Sequence, residues 1–120
     1  HSRNLMILND GQLGVIDFQD AVFGPITYDL VSLLKDCYHW LPGGMIMSRA
    51  LDYKRRLEAD ALITSVDDQV FMRWFDLMGL QRHIKVLGIF ARLALRDRKH
   101  NYLQNLPLVI AYVLDVCPIS

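Results

Sequence analysis

Residues 4–20 read Asn-Leu-Met-Ile-Leu-Asn-Asp-Gly-Gln-Leu-Gly-Val-Ile-Asp-Phe-Gln-Asp, and this stretch organises the start of the fold. Its strand-prone apolar residues fall in two short runs on either side of a turn, Leu5 and Ile7 in the first run and Leu13 and Val15 in the second. Between the runs, Asp10-Gly11 readily takes the positive φ that a tight turn needs. We therefore predict two short antiparallel strands that form a β-hairpin.

The predicted hairpin brings polar side chains from its two ends together. Asn4 precedes the first strand and Asp17 follows the second, so both should lie at the same end of the ribbon, with Asp20 close behind. Amide and carboxylate oxygens are hard ligands that suit Mg²⁺, which usually takes one or two protein carboxylates and keeps water and phosphate oxygens besides. The stretch predicts a metal site at Asn4, Asp17 and Asp20, and ordinary turn and cap chemistry is the alternative for each residue.

Three motifs in this region resemble the aminoglycoside phosphotransferase family, whose members are relatives of the protein kinases. They are His1-Ser-Arg-Asn4-Leu-Met, Gly14-Val-Ile-Asp17-Phe-Gln-Asp20-Ala and Gly24-Pro-Ile-Thr-Tyr-Asp29-Leu. The resemblance implies that Asn4 is the Asn of the catalytic loop, Asp17 the metal-binding Asp and Asp20 a second acidic residue of the site. It also implies that Asp29 is a buried carboxylate that supports the catalytic loop. The catalytic Asp of the family would stand five residues before Asn4, upstream of His1.

The C-terminal half resembles a narrower group within that family. Residues 79–93 read Gly-Leu-Gln-Arg-His-Ile-Lys-Val-Leu-Gly-Ile-Phe-Ala-Arg-Leu, with Tyr102 downstream. This pattern resembles the bacterial cell-wall amino-sugar kinases, which phosphorylate the anomeric hydroxyl of N-acetylmuramate and N-acetylglucosamine. The resemblance implies ATP and Mg²⁺ as cofactors, a small sugar as substrate and a role in peptidoglycan recycling. It brings Gln81, Arg82 and His83 into consideration as sugar-binding residues, with a buried structural Arg or His as the alternative.

The resemblance covers the whole chain, but as one lobe of such an enzyme. It implies the helical C-terminal lobe of a kinase-like α+β fold, with a metal-binding hairpin and loop over residues 1–24 and a helical subdomain over 25–120. Neither a glycine-rich loop nor the strand Lys of these kinases occurs in the sequence. We therefore expect the intact parent to be an ATP-dependent phosphotransferase and this chain alone to be inactive. The alternative hypothesis is a non-catalytic helical binding or structural module derived from a kinase lobe.

After residue 24 the sequence predicts helices separated by clear breakers. Pro25 suits a helical first turn, Pro42-Gly43-Gly44 is the clearest break, and Thr64-Ser65 with Asp67-Asp68 is typical of a helix start. The apolar spacing predicts helices over about 25–38 and 45–62, and a third helix through Phe71, Trp74, Phe75 and Met78. Gly79 either bends this third helix or separates it from a fourth that reaches about Arg96, and Pro107 opens a last helix through Leu108 to Cys117. The expected fold is mainly α with a short N-terminal β-hairpin, in a single domain of 120 residues.

Composition limits the classes of partner. Hydrophobic residues make up 52% of the chain and mean hydropathy is +0.19, so we expect apolar surface that a second copy or a missing N-terminal lobe covers. Net charge is zero, which does not favour nucleic acid or acidic membranes as partners. Cys37 and Cys117 lie far apart and without zinc-ligand spacing, so reduced thiols and a cytoplasmic location are expected.

Overall fold

The computed structural model describes residues 1–17, 19, 21–98 and 100–117. A 3-10 turn at Ser2–Asn4 leads into strands β1 (Leu5–Ile7) and β2 (Leu13–Val15). Helices α1 (Tyr28–Leu34), α2 (Gly43–Ala59), α3 (Asp68–Leu95) and α4 (Leu106–Val116) follow, with a second 3-10 segment at His100–Asn105 before α4. The described chain is therefore mainly helical with one N-terminal hairpin, as the sequence predicts.

The predicted antiparallel hairpin forms. The strands are antiparallel, and the paired residues are Leu5 with Val15, Met6 with Gly14 and Ile7 with Leu13. The Gly11 N–H donates to the Leu8 carbonyl at 2.9 Å, and Gly11 has φ +78°, a left-handed conformation that glycine adopts without steric cost. At the other end, the Ile16 N–H donates to the Asn4 carbonyl at 2.9 Å. This last bond extends the pairing to the end of the ribbon where the polar residues lie.

Helix α3 excludes one of the two alternatives that the sequence leaves at Gly79, because it runs unbroken through this residue for 28 residues and does not divide into two helices. Gly79 is buried, and a Cβ atom built on it would lie 3.6 Å from Val31 Cγ1 of α1. A glycine in a helix interior costs about 1 kcal/mol relative to alanine. A Cβ atom at that distance would make an ordinary van der Waals contact, so the packing of α1 on α3 does not require a glycine here, and the residue lies inside the helix without ending it.

Helices α1 and α2 also differ from their predicted limits. Helix α1 starts at Tyr28, after a turn in which the Tyr28 N–H donates to the Pro25 carbonyl at 3.0 Å, and it ends before Lys35. Helix α2 ends at Ala59, and Ala61 has a positive φ of 52° that interrupts helical geometry. Helix α3 begins at the predicted place because the Asp67 carboxylate accepts the Gln69 N–H at 2.8 Å, as an N-cap residue does.

Two apolar clusters hold the helices together. The first joins α1, α2 and α3 through Val31, Ile46, Ala50 and Phe75. The second joins the segment after α1 to α3 and α4 through Cys37, Phe90 and Val109. Helix α3 contributes to both clusters, so it is the central element of the described fold. No helix in the described residues combines the length and apolar character that crossing a membrane requires.

Candidate functional site

Asn4 and Asp17 are in direct contact at one end of the hairpin. Asn4 Nδ2 donates to Asp17 Oδ2 at 3.2 Å, and Gln19 Nε2 donates to Asp17 Oδ1 at 2.8 Å. Asp17 has φ +59°, in the left-handed region, where Asp and Asn are more readily tolerated than other side chains. Asp17 is solvent-exposed, and Asn4 is half-buried. The structure thus brings together the two residues that the sequence pairs.

The contacting pair fits the requirements of a magnesium ion. The Asp17 carboxylate and the Asn4 amide provide hard oxygen donors, and a half-turn of the amide exchanges Nδ2 for Oδ1 on the side that faces Asp17. Solvent exposure leaves room for the water and phosphate oxygens that Mg²⁺ retains. Asp20, the third expected ligand, lies outside the described residues. Within the residues that are described, no three His, Cys, Asp or Glu side chains converge to hold a metal.

A buried carboxylate, Asp36, anchors the turn that carries Asn4. Asp36 Oδ2 accepts the Ser2 N–H at 2.8 Å, and Oδ1 accepts the Tyr38 N–H at 3.3 Å. The residue is 1% exposed, so these two backbone donors compensate the burial of its charge. Asp36 therefore fixes the Ser2–Asn4 turn to the segment that follows α1, and through that turn it positions Asn4.

The family resemblance implies that Asp29 is a buried carboxylate, and this expectation of burial is wrong. Asp29 is exposed in the first turn of α1, where a carboxylate interacts favourably with the helix dipole without leaving water. Its role in supporting the catalytic loop stays a prediction. Asp36 was missed because it follows Lys35 just beyond the end of α1 and belongs to no motif. The one available signal was the spacing to Tyr38, since Asp commonly accepts the N–H two residues on.

We expect Asp36→Ala to destabilise the protein by about 1–3 kcal/mol, because it leaves two partly buried backbone donors without an acceptor. Amide hydrogen exchange at Ser2 should accelerate in the same variant, since the N–H loses its partner. Chemical unfolding and exchange measured by mass spectrometry check both effects. Asp29→Ala is the matched control, and it should shift stability by less than about 0.5 kcal/mol. A larger loss for Asp29→Ala than for Asp36→Ala would contradict the assignment.

A cleft of about 210 Å³ opens beside the anchored turn. Its lining comes from the N-terminal turn, the ends of α1 and the middle of α3, and comprises His1, Tyr28, Cys37, Tyr38, Arg82, Lys85, Val86, Ile89 and Phe90. Arg82 Nη1 donates to Tyr28 Oη at 3.2 Å. The Asn4 N–H donates to the carbonyl of His1 at 3.0 Å, so one 3-10 turn contributes to both the cleft and the Asn4–Asp17 pair.

The cleft is uncharged apart from its basic side chains. Burial raises the pKa of the Cys37 thiol, and the adjacent negative charge of Asp36 raises it further. Burial likewise raises the pKa of the Tyr38 phenol. Both groups are therefore neutral near pH 7, and neither supplies a negative charge. The lining includes the cations Arg82 and Lys85 and, among the described residues, no carboxylate.

Only one of the three proposed sugar-binding residues lines this cleft. Successive residues of a helix point about 100° apart, so Gln81, Arg82 and His83 face three directions. Arg82 faces the cleft, whereas Gln81 is exposed on a shallow groove with Leu77, Leu80 and Ile84. The structure therefore does not bring Gln81, Arg82 and His83 together in one binding site.

His83 belongs to the core. It is 1% exposed, its Nε2 donates to the Lys35 carbonyl at 2.9 Å, and its ring stacks on Tyr112 with centroids 4.9 Å apart. Burial lowers the pKa of His83, which keeps the imidazole neutral near pH 7. The bond to Lys35 satisfies a carbonyl at the point where α1 ends. His83 thus stabilises the α1–α3 contact and does not face the cleft.

Comparisons with known proteins show which family and which relatives the chain is similar to. The model of the phosphotransferase enzyme family matches residues 1–63. The chain is 45% identical over 114 residues to the N-acetylmuramate/N-acetylglucosamine kinase of Neisseria meningitidis, a match covering 95% of this chain and 34% of the relative. It is 43% identical over 114 residues to the kinase of the same name from Pseudomonas putida, covering 95% and 33%. The chain is 36% identical over 121 residues to the kinase of the same name from Caulobacter vibrioides, and this match covers 98% of this chain and 31% of the relative. The chain spans about a third of the length of these relatives.

Proposed function

The chain belongs to the phosphotransferase enzyme family, and on that premise we propose that it supplies the metal-binding pair and part of the sugar-binding surface of an ATP- and Mg²⁺-dependent amino-sugar kinase. The observation that carries the proposal is the contact between Asn4 Nδ2 and Asp17 Oδ2, which lie 3.2 Å apart at the end of the hairpin. Asn4 also belongs to the turn that borders the cleft. Kinase-like phosphotransferases hold their metal with an Asn and an Asp of this kind.

The proposal includes the place of the chain in the enzyme. Residues 1–24 are the metal-binding hairpin and loop, residues 25–120 are the helical subdomain, and together they form the C-terminal lobe. The helical character of residues 28–116 and the position of the hairpin ahead of them support this division. The catalytic Asp is proposed to stand five residues before Asn4.

Catalysis in such a site depends mostly on positioning and on neutralising charge. A bound Mg²⁺ supplies charge neutralisation on the phosphate oxygens of ATP. Asn4 and Asp17 would hold it, and the buried Asp36 keeps the Asn4 turn in place through its bond to the Ser2 N–H. The cleft beside that turn, with Arg82 on its wall, is positioned to hold the acceptor sugar near the same residues.

The proposed acceptor is the anomeric hydroxyl of N-acetylmuramate or N-acetylglucosamine, which places the reaction in peptidoglycan recycling in the cytoplasm. The support is the set of relatives named N-acetylmuramate/N-acetylglucosamine kinase, which are 36–45% identical to nearly the whole of this chain. The basic cleft adds physical support, because it suits a neutral or acidic sugar and repels a polycationic acceptor such as an aminoglycoside.

The test is turnover by the full-length protein that contains this chain. With ATP, Mg²⁺ and either sugar, we expect the sugar 1-phosphate as product, identified by phosphorus NMR, and no product after chelation of the metal. Transfer to choline or to an aminoglycoside, with none to the two sugars, would assign the protein elsewhere in the family. No transfer to any acceptor would favour the non-catalytic helical module.

A further inference from the structure

We propose that Arg82, assisted by Lys85, binds the carboxylate of an acidic amino sugar in the cleft, and so gives the enzyme a preference for N-acetylmuramate over N-acetylglucosamine. The two sugars differ by a lactyl ether that carries a carboxylate, so a cation that reads this group discriminates between them. The inference rests on the proposed function, and it adds the residue that sets specificity.

Arg82 has no acidic partner within the part of the chain that the structure describes. It is half-buried, and its side-chain hydrogen bond goes to the hydroxyl of Tyr28 at 3.2 Å. Among the described residues, no carboxylate lies at ion-pair distance from Arg82 or Lys85. A guanidinium has five N–H donors, so most of those of Arg82 are available to a ligand.

Arg82 differs from the two buried lysines, Lys35 and Lys54, which both have acidic partners. Lys35 lies 3.2 Å from an Asp76 oxygen and 3.7 Å from an Asp115 oxygen. Lys54 lies 2.9 Å from both Glu58 and Asp68. Both lysines are therefore compensated by two acids each, as a buried cation requires. Arg82 is half-buried, and the described residues supply no anion that compensates its charge. A bound anion fills that role.

The shape of the guanidinium group indicates which kind of anion Arg82 would bind. The guanidinium fork matches a carboxylate with two parallel N–H···O bonds, and the contact to Tyr28 fixes its orientation. Lys85, three residues on, adds a second positive charge to the same wall. A phosphate of ATP has the same charge chemistry, so the experiment must separate a sugar carboxylate from a nucleotide phosphate.

The measurement is kcat/KM of the full-length enzyme for each sugar. Arg82→Ala should lower the ratio of kcat/KM for N-acetylmuramate to that for N-acetylglucosamine by about 10- to 100-fold, the range of a hydrogen-bonded charge pair. Arg82→Lys should lose less of the ratio, because it keeps the charge without the fork. Lys85→Ala, an exposed position where folding is not at stake, should lower the ratio a few-fold.

Arg73→Ala is the matched control, since Arg73 is an exposed arginine of the same helix that lies outside the cleft lining, and it should leave both sugars unchanged. Equal losses for the two sugars in Arg82→Ala and Lys85→Ala would overturn the inference and leave the kinase assignment standing. A raised KM for ATP with either sugar would assign Arg82 to a phosphate instead. Failure of the unmodified enzyme to phosphorylate either sugar would overturn the proposed function itself.

Discussion

Asp17→Asn in the full-length protein is expected to lower phosphoryl transfer at least about 1,000-fold while leaving the fold intact. The substitution removes the negative charge that Mg²⁺ requires but keeps the side-chain size. Asn also tolerates the left-handed conformation of this position, φ +59°, and can still accept the bond from Gln19 Nε2. The measurements are kcat with saturating sugar and the affinity for Mg²⁺ in the presence of a non-hydrolysable ATP analogue.

The control for this prediction is Asp10→Asn, the same chemical change at the opposite end of the hairpin. Asp10 Oδ1 accepts the Gln12 N–H at 3.0 Å within the turn, a bond that an Asn oxygen can also accept. Activity should stay within about twofold, the scale of an exposed substitution that makes no contact with the site. Retained activity in Asp17→Asn, with the melting temperature unchanged in both variants, would refute the metal-binding role.

Phe75→Ala is expected to have the largest effect on stability, a loss of about 3–5 kcal/mol in the free energy of unfolding. Phe75 is fully buried at the junction of α1, α2 and α3, and it packs with Val31, Ile46 and Ala50. Truncation removes its apolar contacts and leaves a cavity where three helices meet. Denaturant unfolding of the variant against the unmodified protein measures the loss.

Two further variants make the test of Phe75 specific. Phe75→Leu keeps most of the volume and should cost clearly less than Phe75→Ala. Leu95→Ala, at a position of the same helix that is 85% exposed, should change stability by less than about 0.5 kcal/mol. A loss for Leu95→Ala as large as that for Phe75→Ala would show that helix α3 is not anchored through the first apolar cluster.

The sequence determines the local features of the candidate site. The hairpin could be predicted because Gly11 in the turn and the apolar runs on either side act within a few residues of each other, and hairpin geometry then forces Asn4 next to Asp17. The start of α3 at Asp67 could be predicted for the same reason, since a cap bond spans two or three residues.

Tertiary packing decides the features that depend on distant residues. Gly79 is disfavoured in helices by its propensity, yet it lies buried inside the unbroken helix α3. The Ser2 N–H, 34 residues away in the sequence, donates a hydrogen bond to the buried Asp36 carboxylate, whereas Asp29 is exposed. Arg82 and His83 are neighbours in sequence, and only the position of α1 and α4 around α3 puts the first on the cleft and the second in the core.

The sequence by itself therefore fixed the hairpin and the pairing of Asn4 with Asp17, because a turn and two strands depend on short-range chemistry. The tertiary structure decided which carboxylate holds the turn that carries Asn4 and which cation faces the cleft. Those outcomes depend on which distant backbone donors and side chains meet each residue, and periodicity along the chain does not contain that information.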